Sequence, residues 1–112
     1  MSSIHINYNS LRDDPKNGVI DDELLKKAKG LLGWGARKEL IRLFDSQLRV
    51  LASEVAQRQM NPQLLYEAGE KGIMSALELY NVGHTRESFR TFAMPLIRQQ
   101  MMHARSKHAP PA

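Results

Sequence analysis

The stretch NPQLLYEAGEKGIMSALELYN, residues 61–81, decides how the chain is read. Asn61 before Pro62 is a helix start. Asparagine caps with its side-chain oxygen, and proline at the first helical position gives up no hydrogen bond. Leu65, Ala68, Gly69, Gly72, Ile73, Ala76, Leu77 and Tyr80 then share one side, which predicts a helix over 62–80. Gly69 and Gly72 each cost roughly 1 kcal/mol in a helix interior. Two of them on the apolar side make sense where a second helix crosses very close.

Working outward, Ile41, Phe44, Leu48, Leu51 and Val55 step by three and four, so one long helix is expected over 36–59. Leu40, Leu43 and Val50 broaden its stripe, and Arg42, Asp45, Gln47, Arg49 and Gln57 stand opposite. Before it, Asp21 or Asp22 caps a helix whose apolar side is Leu24, Leu25, Ala28, Leu31 and Leu32. GWG (33–35) breaks that helix, with Trp34 expected as a hydrophobic plug between the two. After NVGHT (81–85), a last helix runs from near 85–90 to about Ser106, with Pro95 inside SFRTFAMPLIRQQM (88–101). Residues 1–20, with DDPKNG at 13–18, read as a flexible arm, and 108–112 as a disordered tail. No stretch alternates as a strand does. The expectation is an all-α domain over 21–107, a compact bundle of about four helices.

The totals exclude several classes. The chain of 112 residues contains no cysteine, so disulfides and thiolate chemistry are absent. No apolar run approaches the ~20 residues of a membrane span. The polar start MSSIHINYNS lacks the apolar centre of a signal peptide. A cytoplasmic protein with no membrane partner is expected. His5, His84, His103 and His108 pair with no carboxylate at metal-ligand spacing. Gly-Trp-Gly is followed by no Lys-Ser or Lys-Thr, so it is not a phosphate loop. Glu67 and Glu70 lie one turn apart with no second acidic pair. Neither enzyme chemistry, nor a metal, nor a cofactor is expected.

Charge is separated along the chain. The net charge is +4, but Arg86, Arg90, Arg98, Arg105 and Lys107 face Glu87 alone between 86 and 107. Between 61 and 80, Glu67, Glu70 and Glu78 face only Lys71. A basic segment following an acidic one points to two surfaces for two partners.

YEAGEKGIMSALELYN (66–81) followed by ESFRTFAMPLIRQQM (87–101) resembles region 2 of bacterial RNA polymerase sigma factors, over about residues 22–107. The resemblance rests on Gly69, Gly72, Ile73, Met74, Ala76, Glu78 and Tyr80, then on Phe89, Thr91, Phe92, Ala93, Ile97 and Arg98. ELIRLFDSQLRVLASEVA (39–56) matches the helix that leads into the region. Pro95 is similar to a proline in the stress, sporulation and flagellar branches. The chain departs from the family at Leu64, where an acidic residue is usual, and at Glu67 and Ala68, where Gln and Glu are common. Pro95 and Leu96 stand where primary sigma factors carry a tryptophan pair, and the loop 81–88 is one residue longer than usual.

The resemblance implies a transcription-initiation domain. Leu64, Glu67, Glu70, Lys71, Met74 and Glu78 would meet the β′ coiled coil of core RNA polymerase. Arg86, Phe89, Arg90, Thr91, Phe92, Arg98, Gln99, Arg105 and Lys107 would engage promoter −10 DNA. Aromatic rings stack unpaired bases at ~1–3 kcal/mol each, and Arg or Lys neutralises phosphates. A second protein, or a further domain, would supply −35 recognition. The other implied reading is a sigma mimic, binding an anti-sigma factor or occupying polymerase without reading DNA. From the residues alone, Phe89 and Phe92 fit either stacking or core, and Met94, Ile97 and Met101 fit core.

Overall fold

The computed structural model describes residues 20–108. The expected arm, apart from Ile20, and the expected tail, apart from His108, lie outside the described residues. Five helices follow one another among them: α1 (Asp22–Lys29), α2 (Trp34–Leu43), α3 (Asp45–Ala56), α4 (Pro62–Leu79) and α5 (Phe89–His108). The all-α expectation stands, and the helix count rises from four to five.

The extra helix comes from a break at Phe44. Its backbone sits at φ −99°, ψ 1°, and its N–H bonds back to the Ile41 carbonyl, three residues away. That is one tight 3₁₀-like turn. The apolar period of three and four runs straight through it, so the pattern alone reads one long helix. The fully buried Phe44 ring meets the edge of Phe89, with centroids 6.0 Å apart.

The helix ends follow their chemistry. The Asp21 carboxylate accepts from the Leu24 N–H at 2.8 Å, which selects Asp21 over Asp22 as the cap of α1. Asn61 Oδ1 accepts from the Gln63 N–H at 2.9 Å, with Pro62 opening α4 as the sequence predicts. Ser88 caps α5: its Oγ accepts from the Thr91 N–H at 3.2 Å and donates to Thr91 Oγ1 at 3.0 Å.

The most extensive helix packing joins α4 to α5, followed by α3 against α4. A Cβ added at Gly72 would stand 2.6 Å from Ile97 Cα and 2.9 Å from the Leu96 carbonyl oxygen. One added at Gly69 would stand 2.6 Å from Leu48 Cδ2 and 2.7 Å from Met101 Cε. The close crossing expected from the two glycines is therefore present at Gly72, against the backbone of α5, while Gly69 makes room for the side-chain ends of Leu48 of α3 and Met101 of α5. Around it Leu48, Leu65, Ile73, Ala76, Ala93, Ile97 and Met101 form the core.

The N-terminal end differs from its sequence reading. Leu25 and Ala28 are buried, but Leu31, Leu32 and Trp34 are exposed. Trp34 is not a plug between helices. α1 stops at Gly30, and the chain turns away before the last three apolar residues reach a neighbour. Val50, expected to broaden the stripe of α3, is exposed as well.

Candidate functional site

The fold turns two helix faces outward, one on α4 and one on α5. On α4, Leu64, Glu67, Lys71, Met74 and Glu78 step by three, four, three and four, so they lie in one row. Leu64, Glu67, Lys71 and Glu78 are exposed, and Met74 is half-buried against the core cluster. Glu70 stands at the edge of the row. Its carboxyl is raised above the usual carboxylate range, first by burial and then by the neighbouring charge of Glu67.

Beside Glu70 runs an open groove of about 520 Å³, lined among others by Lys38, Arg42, Asp45 and Tyr66. The Tyr66 hydroxyl donates to Asp45 Oδ1 at 2.6 Å, and Arg49 Nε donates to Asp45 Oδ2 at 2.9 Å. The Tyr66 bond and then the Arg49 bond hold the Asp45 carboxyl below its ordinary range. Burial, and then the bond to Asp45, pushes the Tyr66 hydroxyl up to about 12. Sequence reasoning did not find this tie, because its partners are 21 residues apart.

On α5 the structure divides the expected DNA-contacting set. Arg98 and Gln99 are exposed near the middle of the helix, Lys107 is exposed near its end, and Arg86 is exposed in the loop before it. Arg105 is half-buried, and its guanidinium donates to Gln57 Oε1 at 2.9 Å. Arg98 and Arg105 are seven residues apart, two turns along one flank, with half-buried Thr91 on the same line. Phe92 is half-buried, with its centroid 5.2 Å from that of Tyr80. Arg98 and Arg105, with Thr91, form a basic flank, while Gln99 and Phe92 stand about 100–120° round the helix from Arg98 and Lys107 about 180°.

Two expected contacts are not at that surface. Phe89 is buried between Phe44 and Tyr80, its centroid 6.0 Å and 5.2 Å from theirs. It is core, and stacking a base on it would require opening the bundle. Arg90 is 0 % exposed. Its Nη1 donates to the Leu43 carbonyl at 3.0 Å and to Gln47 Oε1 at 2.7 Å, and its guanidinium carbon lies 4.9 Å from the Phe44 ring centroid. The break at Phe44 turns the Leu43 carbonyl toward α5, and Arg90 meets it there. Arg90 is a structural cation that locks α5 to the α2–α3 junction. A buried arginine bonded to a backbone carbonyl 47 residues away and an amide 43 residues away leaves no pattern in a sequence, so Gln47 could not be picked out as one of its partners.

The loop between the two faces is tied down. The Tyr80 hydroxyl donates to the Glu87 carbonyl at 2.7 Å, and Thr85 Oγ1 donates to the Asn81 carbonyl at 3.1 Å. The end of α4 and the start of α5 are thus held together, and the acidic row and the basic flank belong to one packed helix pair. No protein-family model matches the chain, and no curated protein and no solved structure matches it significantly.

Proposed function

We propose that this chain is a transcription-initiation module of the sigma region 2 type. The outer row of α4 docks on the β′ coiled coil of core RNA polymerase, and the exposed flank of α5 holds promoter −10 DNA. The observation that carries the reading is the α4 row of Leu64, Glu67, Lys71, Met74 and Glu78, set beside the cations Arg98 and Arg105 of the helix that crosses it. A step of three and four is the spacing a coiled-coil partner matches. The opposite charge of the α5 flank suits phosphates, which the acidic row would repel.

The DNA contact is leaner than the resemblance implies. Phe89 and Arg90 are withdrawn into the core, leaving Arg86, Thr91, Phe92, Arg98, Gln99, Arg105 and Lys107. That withdrawal favours a second reading, a sigma mimic that binds polymerase or an anti-sigma factor through α4 and reads no promoter.

The test is binding of the chain to purified core polymerase, with and without a single-stranded −10 oligonucleotide, at two salt concentrations. On the first reading, core binding strengthens with the oligonucleotide and weakens as salt rises. Arg98→Glu with Arg105→Glu then lowers the salt slope by about 2, roughly one per lost phosphate contact. Leu64→Glu with Glu67→Lys weakens core binding at either salt. Core binding that ignores both the oligonucleotide and the arginine changes establishes the second reading. Absence of core binding refutes the first.

A further inference from the structure

The α1–α2 turn reaches the α4 face only at its base, where Lys29 and Arg37 line a groove with Met74 and Glu78. Leu31 is 100 % exposed, Leu32 92 % and Trp34 64 %. This exposure is not fraying. Arg37 Nη1 donates to the Ala28 carbonyl at 2.8 Å and to the Gly30 carbonyl at 3.2 Å, fastening the start of α2 to the end of α1. The Gly33 N–H donates to the Gly30 carbonyl at 3.1 Å. The three apolar side chains are held out on a fixed turn.

The surroundings of that turn are basic. Between residues 26 and 38 the chain carries Lys26, Lys27, Lys29, Arg37 and Lys38 and no acidic residue. Lys26, Lys27, Lys29 and Lys38 are all exposed. Lys27 lines a shallow groove with Leu32 and Trp34, and Lys38 Nζ stands 5.1 Å from the Trp34 ring centroid. An apolar tip with a tryptophan and a collar of lysines suits one environment in all its parts. Leucines gain from an acyl layer, a tryptophan ring sits at headgroup depth, and lysines reach back to anionic phosphates. A nucleic acid would reward the ring and the lysines but leave two leucines in water.

We infer that the α1–α2 turn anchors this protein to the surface of an anionic bilayer, with Leu31, Leu32 and Trp34 entering the interfacial layer and Lys26, Lys27, Lys29 and Lys38 pairing with lipid phosphates. This departs from the expectation of no membrane partner. The attachment is to one leaflet: no helix among the described residues is long and apolar enough to cross.

Trp34 is the sole tryptophan, so its fluorescence reports on the turn alone. The full chain is titrated with phosphatidylcholine vesicles and with vesicles containing added phosphatidylglycerol. The expected result is a blue shift of Trp34 and its quenching by brominated acyl chains in the anionic vesicles, weakening with salt, and little response to phosphatidylcholine alone. Leu31→Ser with Leu32→Ser changes only exposed positions, so helical content holds while partitioning falls at least about tenfold. Lys27→Gln with Lys38→Gln lessens the salt dependence. An unmoved Trp34 with anionic vesicles overturns the inference, as does a serine variant that partitions like the parent. A Trp34 quenched by single-stranded oligonucleotide but not by vesicles also overturns it, and assigns the turn to nucleic acid.

Discussion

Replacing Arg90 by methionine separates its structural role from a DNA-contacting one. Methionine keeps most of the volume and apolar contact of the side chain, so little cavity forms. What is lost is the donor. The Leu43 carbonyl, 3.0 Å from Arg90 Nη1 in a buried bond, is left without that partner, at about 1–3 kcal/mol. The Gln47 amide is half-buried and can turn toward water, so its loss adds little. The contact of the guanidinium with the Phe44 ring, 4.9 Å to the centroid, contributes about 0.5–2 kcal/mol. The sum is about 1.5–5 kcal/mol, offset in part because a charge no longer has to be buried, which leaves about 2–4 kcal/mol as the central expectation. For a domain of this size that lowers Tm by roughly 8–32 °C. Thermal unfolding followed by circular dichroism measures it. Oligonucleotide binding at a temperature where the variant is folded should keep the parent's salt slope. A Tm within about 3 °C of the parent, together with a slope reduced by about 1, would refute the structural role and return Arg90 to the DNA-contacting set.

Three further outcomes are expected. Gly72→Ala should destabilise by about 1–3 kcal/mol despite alanine's better helix propensity, because the new methyl meets the backbone of Leu96 and Ile97. Gly69→Ala should cost less, since it meets the mobile ends of Leu48 and Met101; urea unfolding of both variants checks the order, and a Gly72→Ala chain more stable than the parent would sink the close-crossing argument. Ser88→Ala removes the cap of α5 and should cost about 0.5–2 kcal/mol in the same assay, with an unchanged midpoint counting against the cap. Tyr66 should ionise late. Its folded value lies above the ordinary 10.0, at about 12, so the stability it contributes is whole below pH 10.0 and is lost as pH rises through about 12. In an ultraviolet absorbance titration the late step should vanish in Tyr66→Phe, and its persistence there would refute the assignment.

Much of the scaffold can be read along the chain because its causes are local. Asn61-Pro62 starts a helix wherever it is placed, and Gly69 with Gly72 on an apolar side calls for a close neighbour. The α4 set came from the resemblance, with Glu70 among it; the step of three and four then places five of its six residues on one side of the helix. Arg98 and Arg105, seven residues apart, stay within about 20° of each other around the axis. Their placement on one flank follows from spacing alone.

Tertiary contacts decided the rest. Arg90 is eight residues from Arg98, which turns it about 80° around the helix, and the way α5 lies on the bundle carries that side inward. The break at Phe44 keeps the apolar period intact, so only the fit of its ring against Phe89 and the bond from Arg90 to Leu43 reveal it. Leu31, Leu32 and Trp34 have the composition of a core, but α1 ends before they meet a neighbour and they stand in water. Residue type and spacing fix which side of its own helix a side chain occupies. Whether that side is core or surface depends on where the other helices lie, because burial is a property of the pair.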